Sequence, residues 1–323
     1  MVLTKKNRIV IRGRELTLLI LIFLVVVVVS LVKGTTFFNM SNFEAIFIGL
    51  AYDLLLALGM TLVLILGGID LSVGSVLAFV GVITTLMLQN YVPTILAITV
   101  GLTIAGLIGA LNGLMITKVR IPPFVMTLST MSLFRGTCYV LTSGYFINKL
   151  PQSYINISRG TVPFLNIPNN VVISLTIFLF IALLVKRSKI FRQMFLIGES
   201  PRAAYLSGIP SGSLTVFGYI LCSFLAGLAA ILMTSRLAMG HAGFGIGSEV
   251  RAIAAAVIGG ASLHGGEGSM LGTFLGVIVI ALLNNAFIMF NGSPNWQTAI
   301  SGISLIIALS IDVLRNRFNK RNA

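Results

Sequence analysis

One stretch of the sequence decides the fold: Ala57-Leu-Gly-Met-Thr-Leu-Val-Leu-Ile-Leu-Gly-Gly-Ile-Asp-Leu-Ser-Val-Gly-Ser-Val-Leu77. Its two apolar runs, each long enough to belong to a membrane span, flank a polar break formed by Gly67, Gly68, Asp70 and Ser72. Glycine readily ends a helix, and an aspartate or a serine caps the helix that follows. The stretch therefore predicts two consecutive membrane helices with an interruption between them.

The composition indicates an integral membrane protein. Of the 323 residues, 57% are hydrophobic and only 9% are charged, and the mean hydropathy is +1.03. A soluble chain of this size needs far more charge to cover its surface. The formal charge of +14 does not predict nucleic-acid binding, because the basic residues lie between apolar runs rather than on one face. We therefore expect the lipid bilayer, and no nucleic acid, as the partner of this surface.

Apolar runs of about 20 residues predict ten membrane helices, packed as a tight bundle in a single all-α domain that covers residues 1–323. The predicted helices lie near 15–33, 43–66, 72–89, 93–117, 124–142, 169–185, 213–235, 249–263, 269–290 and 296–312. With the amino end inside, sixteen of the 22 basic residues lie in cytoplasmic segments and four lie outside. This polytopic arrangement places both termini in the cytoplasm, as short tails near 1–14 and 313–323.

The longest predicted cytoplasmic loop, about 186–212, contains a short helix between the sixth and seventh predicted spans. Ser200 is its predicted cap, Pro201 its first helical residue and Gly208 its end. A short helix outside the membrane, flanked by basic residues, needs a surface on which to lie. That surface is either a partner protein or anionic lipid headgroups, and the residues of the loop leave both interpretations open.

A second segment near the carboxyl end is similar in sequence to the polar break: Gly259-Gly-Ala-Ser-Leu-His-Gly-Gly-Glu-Gly-Ser-Met-Leu271. If the similarity is an internal repeat, the two breaks are paired elements around a central pathway. Coincidence in a glycine-rich membrane sequence is the alternative. The breaks at 67–72 and 259–268 are therefore our candidates for elements that gate or line a path.

Polar residues inside the predicted spans are candidates for function, because an ionisable group in a membrane helix is costly. Asp53 is either a protonated or hydrogen-bonded carboxyl of the bundle or a substrate contact, and Arg135 could pair with Asp53 or Asp70. For Asp70 and Ser72 we favour capping of the third span over a place on the permeation route. The pathway and gate candidates are Asp53, Gly67, Gly68, Asp70, Ser72, Asn112, Arg135, Glu249, Asn284 and Asn285.

Catalytic chemistry has little support in the sequence. His241 and His264 lack the spacing of metal ligands, and no Gly-x-x-x-x-Gly-Lys-Ser/Thr phosphate-binding loop occurs. Cys138 and Cys222 lie in apolar segments, which supports neither a disulfide framework nor a metal cluster. We therefore expect a chain that is not an enzyme and that binds no metal or cofactor of its own.

Seven motifs, in order along nearly the whole chain, resemble those of the ribose/xylose/arabinose/galactoside permease family of ABC importers. They are Leu58-Gly-Met-Thr-Leu62, Gly67-Gly-Ile-Asp-Leu-Ser-Val-Gly-Ser75, Pro122-Pro-Phe124, Arg135-Gly136, Ala203-Ala-Tyr-Leu-Ser-Gly-Ile209, Ala252-Ile-Ala-Ala-Ala-Val-Ile-Gly-Gly-Ala-Ser262 and Leu283-Asn-Asn285. The resemblance implies a permease subunit in the bacterial plasma membrane that takes up a monosaccharide such as ribose. His264, Glu267 and Asp53 depart from the family pattern, which leaves the identity of the sugar open.

The resemblance also implies partners. These are a separate ABC ATPase subunit that binds ATP and Mg, an extracytoplasmic sugar-binding protein, and a second permease copy that is identical or related. It makes the 199–210 segment a coupling helix that docks on the ATPase through Glu199, Pro201, Ala203, Ala204, Ser207 and Gly208. Two alternatives remain open: a secondary transporter driven by an ion gradient, which only Asp53 supports, and an importer of a sugar-like furanosyl autoinducer.

Overall fold

The computed structural model describes residues 5–162 and 167–292 and six isolated positions beyond them (296, 299, 302, 303, 306 and 310), with side chains from residue 15 onward. Within these ranges the chain forms α-helices joined by turns and two isolated β-bridges. The helices are α1 (Lys5–Lys33), α2 (Met40–Ile65), α3 (Val73–Gln89), α4 (Thr94–Leu114), α5 (Pro123–Thr142), α6 (Gln152–Arg159), α7 (Asn169–Arg187), α8 (Lys189–Glu199), α9 (Pro201–Leu206), α10 (Ser211–Leu237), α11 (Ser248–Ile258) and α12 (Met270–Met289). The predicted all-α class is confirmed for this part of the chain.

Seven of the described helices are long and apolar enough to cross a membrane, namely α1, α2, α4, α5, α7, α10 and α12. The predicted third span is α3, an apolar helix of 17 residues. The predicted eighth span, 249–263, differs most from the structure. Its helix, α11, has 11 residues and at 1.5 Å per residue covers about half of a bilayer core. The predicted tenth span, 296–312, lies outside the continuously described residues, so the total of ten spans and the cytoplasmic termini stay predictions.

The centre of the bundle is the contact between α2 and α10. Every residue of α2 from Leu54 to Ile65 is buried. A Cβ atom on Gly59 would lie 2.9 Å from Cys222 Cα, so the two backbones touch directly. Small residues at helical spacing allow this close approach in membrane bundles, and α10 buries such a series: Gly218, Cys222, Ala226 and Ala230.

The bundle has two distinct ends. At one end, which we call the α8 end, the carboxyl end of α2 meets α8 and the loop before α12. At the other, the α6 end, α6 packs on the last turns of α10. The sequence predicts that the α8 end faces the cytoplasm and that the α6 end faces outward.

The loop at the α8 end contains a helix that the sequence analysis does not predict. Helix α8 buries Phe191, Met194 and Ile197, whose spacing puts them on one helical face. The opposite face carries exposed Arg192 and Leu196. An apolar period over only three turns is a weak signal in a loop rich in basic residues, which is why the prediction contains α9 alone.

The loop between α5 and α7 also contains a helix. Helix α6 is attached to α10 by a hydrogen bond of 2.6 Å between the Tyr154 hydroxyl and Thr234 Oγ1, and Ser235 Oγ donates to the Tyr154 carbonyl at 2.6 Å. Burial raises the pKa of the Tyr154 hydroxyl above its ordinary value, so the group stays protonated and available as a donor. The α6 end is therefore anchored by specific polar contacts.

Candidate functional site

The polar break after α2 starts with a left-handed turn. Gly67 has φ of +79°, its N–H donates to the Leu64 carbonyl at 2.8 Å, and the Gly68 N–H donates to the Val63 carbonyl at 3.0 Å. These two bonds form a Schellman motif, which ends a helix and favours glycine at the left-handed position. A Cβ atom on Gly68 would lie 2.5 Å from the Tyr219 hydroxyl, so the second glycine is required by packing against α10.

A buried polar network follows this turn. Asp70 Oδ1 accepts hydrogen bonds from the amide of Ser72 at 2.9 Å and from its hydroxyl at 2.5 Å. Asn112 of α4 donates to Ser72 Oγ at 3.0 Å, and Thr130 of α5 donates to Asn112 Oδ1 at 2.6 Å. All four side chains are buried. The network therefore joins the start of α3 to α4 and α5.

The side chains of Asp70 and Ser72 do not cap the amides of α3 as the sequence predicts. Ser72 occupies the cap position of α3, but its side chain accepts no hydrogen bond from the amides of that helix, since its hydroxyl is engaged with Asp70 and Asn112. Asp70 stabilises the turn before the helix instead of the helix amides. Its Oδ2 is buried without a hydrogen-bond partner among the described residues, beside the thiol of Cys222, which is a weak donor.

The second break lies directly against the first. Gly260, with φ of +103°, ends α11 in the same kind of turn, in which the Ala261 N–H donates to the Ala256 carbonyl at 2.9 Å. The Gly266 N–H then donates to the carbonyl of Ile65, the last residue of α2, at 2.9 Å. A Cβ atom on Gly265 would lie 3.0 Å from Gly67 Cα. The two breaks, predicted as candidate gate elements, are thus in backbone contact.

A third glycine completes this contact at the α8 end. Gly198, near the end of α8, has no room for a side chain, because a Cβ atom there would overlap the Ile65 carbonyl oxygen and the Gly266 nitrogen. We call the meeting point of Ile65, Gly198 and Gly266 the glycine junction. Gly198 is not among the predicted site residues, although a single glycine within the amphipathic period of α8 is the kind of signal that marks a close backbone approach.

The chain between α10 and α11 turns back into the bundle, which explains why α11 is short. Gly240 pairs with Ile147 at the α6 end and packs on Thr85, whereas Gly245 packs on Gly74. Thr85 and Gly74 are eleven residues apart on α3, or about 16 Å in depth. The sequence predicts that the eighth span crosses the membrane as one helix. In the structure, the loop between α10 and α11 covers about half of the membrane depth, and α11 covers the rest.

Arg135 of α5 stabilises this returning loop. Its Nη1 donates to the carbonyls of Ala242 and Phe244 at 2.5 and 2.6 Å. Irregular backbone at membrane depth needs such partners, because neither lipid nor apolar side chains can satisfy its carbonyls. The predicted pairing of Arg135 with Asp53 or Asp70 is wrong: the guanidinium is directed to the loop backbone, which sequence alone does not place there.

Asp53 pairs with Arg251 of α11. Arg251 Nε lies 3.1 Å from Asp53 Oδ2, and Arg251 Nη2 lies 3.2 Å from Oδ1, while Ser248 Oγ accepts from the same Nη2 at 2.7 Å. The Asp53 and Arg251 side chains are 18% and 20% exposed. Arg251 is absent from the predicted site, although a basic residue in an apolar run carries the same signal as Asp53, and opposite embedded charges predict a pair.

Glu249 lies at the start of α11, as the sequence predicts. Its Oε1 accepts a hydrogen bond of 3.2 Å from the amide of Gly247, the residue that precedes the helix. Its Oε2 is buried without a hydrogen-bond partner among the described residues, against Gly74. Glu249 thus links the first turn of α11 to α3.

A cavity of about 240 Å³ lies beside the ion pair, between α2, α11 and α12. Its polar lining consists of Tyr52, Asp53, Ser248, Arg251, Asn284 and Asn285. Asn285 exchanges hydrogen bonds with Asn42 of α2, the shorter of 2.7 Å. Asn284 Oδ1 is buried without a partner in the described part of the chain. Of the predicted pathway residues, this cavity brings together Asp53, Asn284 and Asn285, whereas Asp70, Ser72 and Asn112 belong to the separate network at α3.

The predicted coupling segment forms the expected short helix. Helix α9 begins at Pro201, Ser200 Oγ accepts from the Ala203 amide at 3.3 Å, and Gly208 ends the helix at φ of +73°. Of the predicted contact residues, Ala204 is buried, and five are exposed: Glu199, Pro201, Ala203, Ser207 and Gly208. The large exposed apolar side chains of α9 are two that the prediction lacks, Tyr205 at 74% and Leu206 at 78%. A groove of about 570 Å³ runs beside them, between the end of α4 and the start of α10.

Comparison with known proteins identifies the family. The family profile described as "Branched-chain amino acid transport system / permease component" matches residues 42–309. The chain is 36% identical to the ribose import permease protein RbsC of Bacillus subtilis (strain 168), over 90% of each chain. It is 30% identical to the D-allose transport system permease protein AlsC of Escherichia coli (strain K12), over 86% of this chain and 85% of that protein. No solved structure matches the chain.

These relatives are transport components rather than enzymes, and their similarity covers the described bundle almost completely. A second ribose import permease, from Haemophilus influenzae, is 34% identical over 91% of each chain. Together with the seven helices capable of crossing a membrane, they identify a multi-pass protein of the bacterial plasma membrane. The chain belongs to the family of ABC importer permeases that includes the ribose and allose permeases.

Proposed function

We propose that this chain is the membrane subunit of an ABC importer that takes up a monosaccharide such as ribose, driven by a separate ATPase subunit. The observation that carries the proposal is the exposed helix α9 at the α8 end, on which the Tyr205 and Leu206 side chains are exposed and Tyr205 lines a groove. A soluble partner surface is the environment that two large exposed apolar side chains favour. The sugar is inferred from the relatives, which are named as ribose and allose permeases.

The glycine junction supplies a route for coupling. Helix α9 follows α8 directly, and Gly198 of α8 touches the end of α2 and the loop before α12 through backbone atoms. Backbone contacts cannot yield by a change of rotamer, so a displacement of α8 has to move both breaks. In the proposed cycle, closure of the ATPase pair moves α9 and α8, and the two breaks change the access to the path.

The remaining partners follow the same orientation. ATP and Mg bind to the ATPase subunit at the α8 end, and an extracytoplasmic sugar-binding protein delivers the sugar to the α6 end. A second permease chain, identical or related, completes the membrane part. This chain supplies binding, gating and coupling, and the free energy comes from nucleotide hydrolysis on its partner.

The gradient-driven transporter is the second candidate function, and the contacts of Asp53 weigh against it. A carboxyl that carries a proton or sodium ion has to be free to exchange it, whereas Asp53 is engaged with Arg251 through both oxygens. Importers of a sugar-like furanosyl autoinducer remain within the proposed class, because such a ligand is also a small polyhydroxylated molecule.

Reconstitution in liposomes tests the proposal. We expect uptake of D-ribose or a related monosaccharide only when the ATPase subunit and the binding protein are both present. ATP must also be supplied on the side of the liposome membrane that the ATPase subunit faces. Uptake by this chain alone, driven by a proton or sodium gradient without ATP, would refute the importer assignment.

Docking of the ATPase at α9 has its own test. Replacement of exposed apolar side chains by charge, in Tyr205→Glu and Leu206→Glu, should abolish co-purification with the ATPase subunit. Tyr145→Glu is the matched control, because Tyr145 is equally exposed, at 76%, but lies toward the α6 end. A complex that survives both α9 substitutions would show that the ATPase docks elsewhere.

A further inference from the structure

We propose that the cavity between α2, α11 and α12 binds one monosaccharide within a single permease chain, with Asn284 and the Asp53–Arg251 pair as its polar contacts. This inference rests on the proposed function and names a site for its substrate. It assigns a binding role to a part of the bundle that is separate from the glycine junction and from the α3 network.

The dimensions of the cavity suit one sugar ring. Its lining runs along α2 from Ala45 to Leu56, which is about 16 Å at 1.5 Å per residue, and Ala45 lies toward the α6 end. Its volume of about 240 Å³ accommodates one pentose or hexose ring.

The hydrogen-bonding capacity left in the lining suits hydroxyl groups. Asn284 Oδ1 is a buried acceptor without a partner among the described residues. Arg251 uses Nε and Nη2 for its contacts with Asp53 and Ser248, so the two N–H groups of Nη1 can serve as donors. A sugar hydroxyl donates and accepts at once, so neighbouring hydroxyls can satisfy both groups. A buried polar atom without a partner is costly and needs such an explanation.

The charges of the lining favour a neutral ligand. Asp53 and Arg251 already neutralise each other at 3.1 Å, so a free anion or cation gains little unless it separates the pair. Separation of a partly buried pair leaves one charge without its partner and costs several kcal/mol, about 3–5 in measured cases. The rival ligand is an amino-acid zwitterion, which could exchange one ion pair for two, and the experiment below includes it.

The first test compares two variants in the liposome system with ATPase and binding protein. Asn284→Leu keeps the size of the side chain but removes the amide. It should lower kcat/KM for D-ribose uptake about tenfold, as expected for one lost hydrogen bond, and change the preference between D-ribose and L-arabinose. ATPase stimulation by the loaded binding protein should persist. Glu44→Gln is the control, because Glu44 pairs with Arg236 at the α6 end, outside the cavity, and should leave uptake and preference unchanged.

The second test measures occupancy of the cavity without transport. Asn284→Cys places a thiol in the lining of the complex, whereas the native Cys138 and Cys222 are buried. D-ribose should slow the reaction of this thiol with a small methanethiosulfonate reagent, and L-leucine should not. Protection by L-leucine in place of D-ribose would overturn the sugar assignment of the cavity.

The outcomes separate this inference from the proposed function. A wild-type complex that imports no sugar contradicts the proposed function. A wild-type complex that imports D-ribose, with Asn284→Leu showing unchanged kcat/KM and preference and Asn284→Cys showing no protection, contradicts the cavity site alone. If Asn284→Leu loses both expression and uptake, the Asn284→Cys experiment decides. Absence of thiol protection by D-ribose in that experiment then overturns the cavity site.

Discussion

Replacement of Gly198 by alanine is the sharpest perturbation of the route from α9 to the membrane helices. The added methyl group would overlap the Ile65 carbonyl oxygen and the Gly266 nitrogen. Neither atom belongs to a side chain that can rotate away, so α8 has to shift away from the glycine junction. The 2.9 Å hydrogen bond from Gly266 to Ile65 then lengthens or breaks, because both of its atoms border the new methyl group.

The magnitude follows from three contributions. Overpacking in a close-packed interior costs about 1–3 kcal/mol, and a lost backbone hydrogen bond costs a further ~1 kcal/mol. The higher helix propensity of alanine returns up to about 1 kcal/mol. We therefore expect Gly198→Ala to lower the free energy of unfolding by about 1–3 kcal/mol, and the thermal midpoint by several degrees at about 2–4 °C per kcal/mol.

The assay has to separate stability from coupling. Thermal unfolding in detergent measures stability. The ratio of sugar imported to ATP hydrolysed in liposomes measures coupling. Gly106→Ala in α4 is the matched control, because a Cβ atom there meets nothing within 4 Å and should be neutral or slightly stabilising. We expect Gly198→Ala alone to lower the coupling ratio. Identical midpoints and ratios for the two variants would refute the role of the junction.

Three further predictions concern polar contacts of the bundle. Arg135→Lys should lower stability by about 1–3 kcal/mol, measured by thermal unfolding, because one ammonium cannot reproduce the bonds to both loop carbonyls. Tyr154→Phe should cost about 1 kcal/mol through loss of the bond to Thr234, whereas Tyr145→Phe at an exposed site should cost nothing measurable. Asp53→Ala should be several times more destabilising than Glu44→Ala, about 3–5 against at most 1 kcal/mol; equal effects would contradict the partly buried character of the Asp53–Arg251 pair.

Local patterns predicted the helical elements well where the signal was continuous. Apolar length placed α2, α4, α10 and α12 within a few residues of their observed bounds, because about 20 apolar residues leave a membrane chain few alternatives. The cap, proline and glycine of α9 were sufficient to predict even a six-residue helix. Such signals are carried by neighbouring residues, and no tertiary contact is needed to interpret them.

The sequence does not predict the contacts between segments that are far apart in the chain. Arg135 and Asp53 are both embedded charges, and a pairing between them is the simplest prediction; the structure instead directs Arg135 to carbonyls of a loop that begins about a hundred residues later. The end of α11 has the same origin, because its apolar run continues past Ile258 into a buried turn, in which Gly260 is left-handed and Gly259 packs on the backbone of Gly272. Apolar composition reports burial, and it does not distinguish a buried turn from a buried helix.

The Asp53–Arg251 pair and the glycine junction are two ends of the same pair of helices. Asp53 lies twelve residues before Ile65 on α2, about 18 Å, and Arg251 lies seven residues before Ile258 on α11, about 10 Å. Both helices end in glycine turns that pack at the α8 end, so any tilt between α2 and α11 changes the separation of the two charges. A shift of the glycine junction that separates Asp53 from Arg251 costs free energy, because it works against the electrostatic attraction of the two side chains. A ligand whose hydroxyls bind both charged groups reduces the free energy of this separation. In the proposed cycle, the polar break that interrupts the first two spans is therefore the point that links movement of α8 to occupancy of the cavity.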